Sequence, residues 1–414
     1  MATNALITND AVVLGLLAVT LGVIFATTHS QALFWRRFYA VVPALLLCYF
    51  IPGLYNSVGL IDGEHSQLYP VFSRYLLPAC LVLFTLAIDL PAILKLGPKV
   101  LVMFLTGTAS VIIGAPLALW LVLSFAPQIL GSDADQLWRG LTAIAGSWIG
   151  GGANQAAMKE VFAVPDNLFA KMVTVDVLVA NIWMAVLLVL AARAPQLDAK
   201  RGADTRSLEL LKQQMTAEAE ASARPVTQYD LILLAALALG ATGLSHLLAQ
   251  PLVALFGQWP WAVRLSLDSS FFWIVVLATS FGLLLSFSRA RQLEGAGASK
   301  LGSLLLYLLV ASIGMKIDIR ALLDVPGYFV VGLLWMSFHA AAMLLMAKLL
   351  KAPLFYMAVG SQANIGGAAS APVVAAAFHP ALAPVGVVLA VLGYALGTYG
   401  GWIAGQMMRL ASGQ

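Results

Sequence analysis

Charge is scarce in this chain. Of its 414 residues only 10% are Asp, Glu, Lys or Arg, 61% are hydrophobic, and the mean hydropathy is +0.90. An ordinary globular domain is about one quarter charged, so a water-soluble fold is excluded. Cysteine is nearly missing too. Cys48 and Cys80 both lie inside apolar runs, which leaves neither a disulfide framework nor a zinc site, only two small core residues. The five histidines show no metal-ligand spacing, and His29, His65 and His379 fall at the edges of apolar runs. No P-loop, Gly-x-Ser-x-Gly or His-Glu-x-x-His motif occurs, so ATP-driven transport and the common hydrolase chemistries have no support. No enzymatic activity and no cofactor are expected. The net charge of +4 is spread over short connecting stretches, which speaks against a nucleic-acid partner.

What fills the chain is apolar sequence. Twelve runs, at roughly 11–28, 38–56, 71–89, 99–126, 140–162, 168–193, 229–249, 269–288, 301–317, 327–348, 354–378 and 382–408, predict an all-α polytopic protein whose first partner is the lipid bilayer. Crossing about 30 Å of hydrocarbon takes roughly 20 apolar residues, and the runs lack the alternation of a membrane barrel. Polar Asn4, Asn9 and Asp10 precede the first run without a basic stretch or cleavage site, so that run is expected to remain as a helix. Residues 195–228 are the one long polar stretch, a linker between a transmembrane half at 1–194 and another at 229–414, with 207–221 read as a tether.

The halves echo each other. Ile88-Asp89-Leu90 after the third run matches Ile317-Asp318-Ile319 after the ninth, and helix capping is the expected role of both acids. One long run later in each half comes a Gly-Ser segment. Basic clusters at Arg36 and Arg37, Lys95 and Lys99, Arg289 to Lys300, and Lys348 and Lys351 belong in the cytoplasm, as does the linker, and acidic Asp62 to Glu64 and Asp133 to Asp135 belong outside. An inverted repeat needs the two Ile-Asp motifs on opposite sides, yet six runs separate them. One crossing is therefore miscounted, most simply within 194–268. The expected total is odd, 11 or 13, in the inner or plasma membrane, with the N-terminus outside and the C-terminus, carrying Arg409, inside.

Two apolar segments cannot stay uninterrupted helices. The first holds Ser147, Gly150, Gly151, Gly152, Asn154 and Gln155, the second Ser361, Gln362, Asn364, Gly366, Gly367 and Ser370. Each helical glycine costs about 1 kcal/mol relative to alanine. Irregular backbone at membrane depth survives only inside protein or beside water, and paired Gly-interrupted segments point to a transporter's binding site. These residues are the expected solute and ion ligands, with Na+ near Asn154, Gln155 and Asn364. Asp176, inside the sixth run with Asn181 shortly after it, is the expected coupling residue. An ionised acid there costs about 2.5 to 3.5 kcal/mol on insertion scales unless it is protonated, cation-bound or paired, and Lys171 is its alternative partner. Gly393, Gly397, Gly401 and Gly405 form a stripe expected to serve packing.

The segments Gly-Ser-Trp-Ile-Gly-Gly-Gly-Ala-Asn from Gly146 and Gln-Ala-Asn-Ile-Gly-Gly-Ala-Ala-Ser-Ala-Pro from Gln362, with the Ile-Asp motif, resemble the membrane family of unknown function DUF819 over essentially the whole chain. The resemblance implies kinship with cation:proton antiporters and with the bile-acid and glutamate sodium symporters. It also implies an inverted-repeat fold of panel and core domains in which two discontinuous helices cross. The expected function is secondary active transport of a small solute (organic anion, amino acid or short peptide) coupled to H+ or Na+, and a homodimer is compatible with it. A cation:proton antiporter is the alternative, weakened because Asn154 and Gln155 are neutral where the related antiporters place acids. A channel or a membrane protein without transport is the alternative of another class.

Overall fold

The computed structural model describes residues 5–39, 42, 44–63, 65–204, 208, 226–265, 267–316, 326–379 and 382–413. Among them the chain is helical, with no strand beyond one isolated bridge between Ile7 and Ile61. Seven helices are long and apolar enough to cross a membrane: α1 (Asp10–Thr28), α4 (Leu68–Leu86), α6 (Pro98–Phe125), α8 (Asp166–Ala192), α10 (Gln228–Phe256), α14 (Pro326–Leu349, apolar from Gly327) and α17 (Ala383–Ala411). Shorter apolar helices are α3 (Ala44–Ser57), α12 (Ser270–Ser286) and α13 (Ala298–Gly314). Surface pieces are α2 (Leu33–Tyr39), α5 (Leu90–Lys95), α9 (Ala194–Arg201) and α11 (Pro260–Arg264). Helix α7 (Leu137–Val161) and the pair α15 (Leu354–Ile365) and α16 (Gly367–Phe378) complete the order.

Local chemistry explains the element ends. Thr227 and Asp230 form a capping box that starts α10, satisfying amides that a helix start leaves open. Within α4, Pro78 lacks the N–H that would reach the Arg74 carbonyl. A π turn forms at Phe72–Leu76, and His246 of α10 meets that carbonyl through Nε2 at 2.9 Å.

Both Gly-Ser segments fold back instead of running through. Arg139 Nη1 donates to the carbonyl of Phe162 at 3.0 Å, 23 residues away, whereas a continuous helix would hold them roughly 34 Å apart at 1.5 Å per residue. The reversal is at Gly150 (φ −140°, ψ 17°) and Gly151 (φ 74°, ψ −174°), the latter a backbone that favours glycine. The arms then touch so closely that a methyl group on Gly146 would stand 2.5 Å from the Asn154 carbonyl oxygen. In the second segment the Phe355 and Phe378 rings meet at 5.4 Å, and Gly367 takes φ 58°. The expected crossing of two discontinuous helices is replaced by two hairpins, α7 and α15–α16.

Contacts place the hairpins at opposite faces. On one face Ser66 donates to Asp10 at 2.7 Å, Lys159 to the Tyr69 hydroxyl at 2.7 Å, and Arg409 lies 5.9 Å over the Trp138 ring. On the other, Arg291 pairs with Asp89 at 3.0 Å, Lys99 with Asp204 at 2.9 Å, and Asp198 accepts the Leu354 amide at 3.0 Å. Hairpin α7 thus opens on the face of Asp10 and hairpin α15–α16 on the face of Asp89. Their tips meet between: a methyl group on Gly367 would lie 3.8 Å from Gly151 Cα.

Two of the twelve apolar runs return to the face they left, and α10 runs unbroken from Gln228 to Phe256. Asp10 and Arg409 fall on the same face of the described residues. Asp89 is an ion-pair partner of Arg291; its counterpart Asp318 lies outside the described residues, as do Glu64, most of the linker including the 207–221 tether apart from Leu208, and the side chains of Asp133 and Asp135.

Candidate functional site

The first hairpin is held by its own amides and by a helix of the other half. Asn154 Nδ2 donates to the Gly150 carbonyl at 3.0 Å and to the Tyr394 carbonyl of α17 at 2.9 Å, and its Oδ1 accepts from Thr398 at 2.7 Å. The second hairpin repeats the arrangement on α6. Asn364 Nδ2 donates to Gly360 at 2.9 Å and to the Phe104 carbonyl at 3.0 Å, and Oδ1 accepts from Thr108 at 2.7 Å. Methyl groups at Gly397 or Gly107 would fall 2.6 and 2.7 Å from the respective amide nitrogens, so glycine is needed at both. The shared signature, Phe104-x-x-Gly107-Thr108 and Tyr394-x-x-Gly397-Thr398, is visible in the sequence and escaped the sequence reading.

The glycine stripe of α17 has the expected packing role. A methyl group on Gly401 would stand 3.3 Å from Gly146 Cα, and Gly397 and Gly405 back onto Gly150 and Phe162.

Asp176 is buried beside the first hairpin. Trp148 Nε1 donates to Oδ1 and Gln155 Nε2 to Oδ2, both at 2.6 Å, and Ser147 adds a third hydrogen bond. Three neutral donors satisfy the carboxylate, as burial requires. Lys171 is not among these partners; its ammonium lies 5.6 Å over the Tyr328 ring. Asn181 is not brought to the site, since its Nδ2 donates to the Val177 carbonyl of its own helix at 2.6 Å.

At the second hairpin Gln362 Nε2 donates across the tip to Ser370 Oγ at 2.7 Å. Its Oε1 is the one buried side-chain polar atom without a hydrogen-bond partner among the described residues. The oxygens of Asn154, Asn364 and Gln155 are engaged, the last by the Tyr49 hydroxyl at 3.4 Å. The open acceptor is therefore Gln362 and not the expected trio. Gly151, Gly152, Gly366 and Ser370 remain partly accessible around it. Tyr394, absent from the expected set, bridges the tips: its hydroxyl accepts the Ala368 N–H, and a methyl group on Gly151 would lie 3.4 Å from its ring.

Outside the spans, burial pushes the carboxyl of Asp198 above its ordinary range, opposed by the Leu354 N–H it accepts. That contact pins the mouth of the second hairpin.

Two comparisons bear on this chain. The family model described as Protein of unknown function (DUF819) matches residues 15–411. Uncharacterized membrane protein YjcL of Bacillus subtilis (strain 168) is 24% identical over 367 residues, covering 85% of this chain and 86% of that protein.

Proposed function

We propose, for a chain that belongs to the DUF819 family, a secondary active transporter in which a small solute binds between two re-entrant hairpin tips and is coupled to H+ or Na+. The observation that carries this reading is the meeting of Gly151 and Gly367 with the unpartnered Gln362 Oε1 beside them. Non-helical backbone inside lipid is tolerated where it lines a cavity, and a buried acceptor without a partner costs about 1–3 kcal/mol until a ligand supplies a donor. A solute presenting N–H or O–H groups, or a desolvated cation, removes that cost.

The architecture we infer has ten crossings and two hairpins. Residues 1–194 and 229–414 form the inverted halves, and the linker 195–228 lies in the cytoplasm. The basic clusters near Arg36, Lys99, Arg291 and Lys351 all fall on the face of Asp89, so cytoplasmic orientation of that face leaves both termini outside. Kinship with the antiporter and symporter superfamily and a plasma-membrane location are part of the same reading. So is Asp176 as a coupling group: one charge moving through 100 mV is worth about 2.3 kcal/mol. The reading includes no chemical conversion of the solute.

The test is a thermal-shift screen of the purified protein against metabolites, followed by flux in proteoliposomes. A ligand at about 100 times its Kd stabilises the fold by roughly 2.7 kcal/mol, and Gln362→Leu is expected to abolish that shift. Flux that neither saturates nor responds to an imposed H+ or Na+ gradient would establish a channel instead.

A further inference from the structure

The Gly-Ser pair of each hairpin puts its hydroxyl on a titratable side chain. Ser147 meets Asp176, and Ser361 meets His339 of α14 through Nε2 at 2.7 Å. His339 is fully buried and belongs to no site described above.

Donor accounting assigns its tautomer. Ser110 Oγ lies 2.7 Å from both the Gly107 carbonyl and His339 Nδ1; with its proton on the carbonyl it accepts from the ring, and Nδ1 carries the ring proton. Trp183 Nε1 donates to Ser361 Oγ at 2.7 Å. The Ser361 proton is then directed at Nε2, the bare nitrogen. Every group in the chain Trp183, Ser361, His339, Ser110 is satisfied around a neutral imidazole. Both ring nitrogens are occupied, so a metal ion has no entry, and a proton is the ligand that fits without displacing an atom.

We propose that His339 binds a coupling proton alongside the Asp176 coupling group and that its protonation loosens the second hairpin; this rests on the transporter reading. A proton from water bonds to Nε2. Ser361 then faces two N–H donors, from Trp183 and His339, and turns its own proton to a carbonyl of the preceding turn of α15, as helical serines readily do. When the proton leaves to water on the other face, the hydroxyl swings back. The bond that changes therefore lies on the arm carrying Gln362 and the Asn364 lock.

The surroundings suit such a switch. From α6 the ring meets Ser110 and the Gly107 carbonyl, from α8 Trp183, and from α15 Ser361. The titratable groups on these elements are Lys99 in the first turn of α6, Asp166, Lys171 and Asp176 on α8, the last of them two turns before Trp183, and Tyr356 on α15; α14 itself carries Tyr328 and Lys348 toward its ends. From α7, Trp148, which donates to Asp176, packs at 4.7 Å on Trp335, one turn before His339. The two titratable residues are thus joined through two indoles packed at an interplanar angle of 52°, and among the described residues no ion pair involves the imidazole.

Hydrogen–deuterium exchange of the full-length protein in lipid nanodiscs tests this. Between about pH 8 and pH 5, the histidine range, exchange of residues 354–378, corrected for intrinsic rates, is expected to rise about tenfold on acidification as the hairpin opens locally. His339→Gln, which retains one donor and one acceptor, should hold exchange constant across that range. Ser361→Ala should do the same by removing only the hydroxyl, and it serves if His339→Gln fails to fold. An unchanged pH dependence in these variants, or a flat profile in the native protein, overturns the proposal. No transported solute is needed for this readout: absent uptake with a pH-dependent hairpin would sink the transporter reading alone, and solute uptake with a flat profile would sink the proton site alone.

Discussion

Asn154 and Asn364 each join two backbone carbonyls to a threonine hydroxyl on a neighbouring helix. A single side-chain hydrogen bond between membrane helices averages about 0.6 kcal/mol, so Thr398→Val is expected to lower the melting temperature only slightly. Asn154→Ala removes three hydrogen bonds at once, those to the Gly150 and Tyr394 carbonyls and the one from the Thr398 hydroxyl, which keeps Thr279 at 3.0 Å, and a buried group left unpaired costs about 1–3 kcal/mol. A much larger fall in melting temperature, or loss of folded protein on size-exclusion chromatography, is the expected outcome; equal effects of the two variants would deny the lock. Asp176→Asn keeps the volume and one acceptor while removing the charge. Gradient-driven uptake should vanish with solute counterflow retained, and unaltered proton coupling would remove Asp176 from the mechanism.

Glycines in the hairpins and in ordinary helix answer differently to one added methyl group. Gly146→Ala drives a carbon to 2.5 Å from the Asn154 carbonyl oxygen, an overpacking expected to cost about 1–3 kcal/mol. Gly22→Ala on α1 meets nothing within 4 Å, so it should be neutral or stabilise by up to about 1 kcal/mol. Melting temperatures of the pair check whether the α7 arms touch. A cross-link makes the same point: with Cys48 and Cys80 replaced, cysteines at Trp138 and Phe162, whose rings are 5.9 Å apart, should be joined by a short bifunctional thiol reagent. In an unbent helix they would be roughly 36 Å apart at 1.5 Å per residue, and failure to join would restore a crossing helix.

The faces of the protein make a prediction that no local feature supplies. Single cysteines at Leu6 and Ser412 should react alike with a membrane-impermeant thiol reagent on intact cells, while one in the polar linker should react only after lysis. Opposite behaviour of the two termini would return the count of crossings to an odd number. The topology depends on the hairpins, since each reversal removes one crossing and moves every later loop to the other face.

Much of this was legible in residue order. Scarce charge and continuous apolar runs require helices in lipid, because only a helix or a closed barrel satisfies a backbone there and the runs lack a barrel's alternation. Gly150, Gly151, Gly366 and Gly367 mark where those helices must fail, and Ser147, Gln362 and Asp176 stand out as polar groups that need a reason. A broken helix can nevertheless continue or return, and glycine permits both; the choice rests on contacts such as Arg139 to Phe162, 23 residues apart. His339 reads in sequence as a lone histidine in an apolar run, and Asn181 reads as a companion of Asp176. Only the packing of α6, α8, α14 and the second hairpin puts His339 between two serines, and only the helix's own backbone takes Asn181 away. Composition and local backbone preference act along the chain and can be read there, whereas hydrogen-bond partners are settled by what folding brings within about 3 Å.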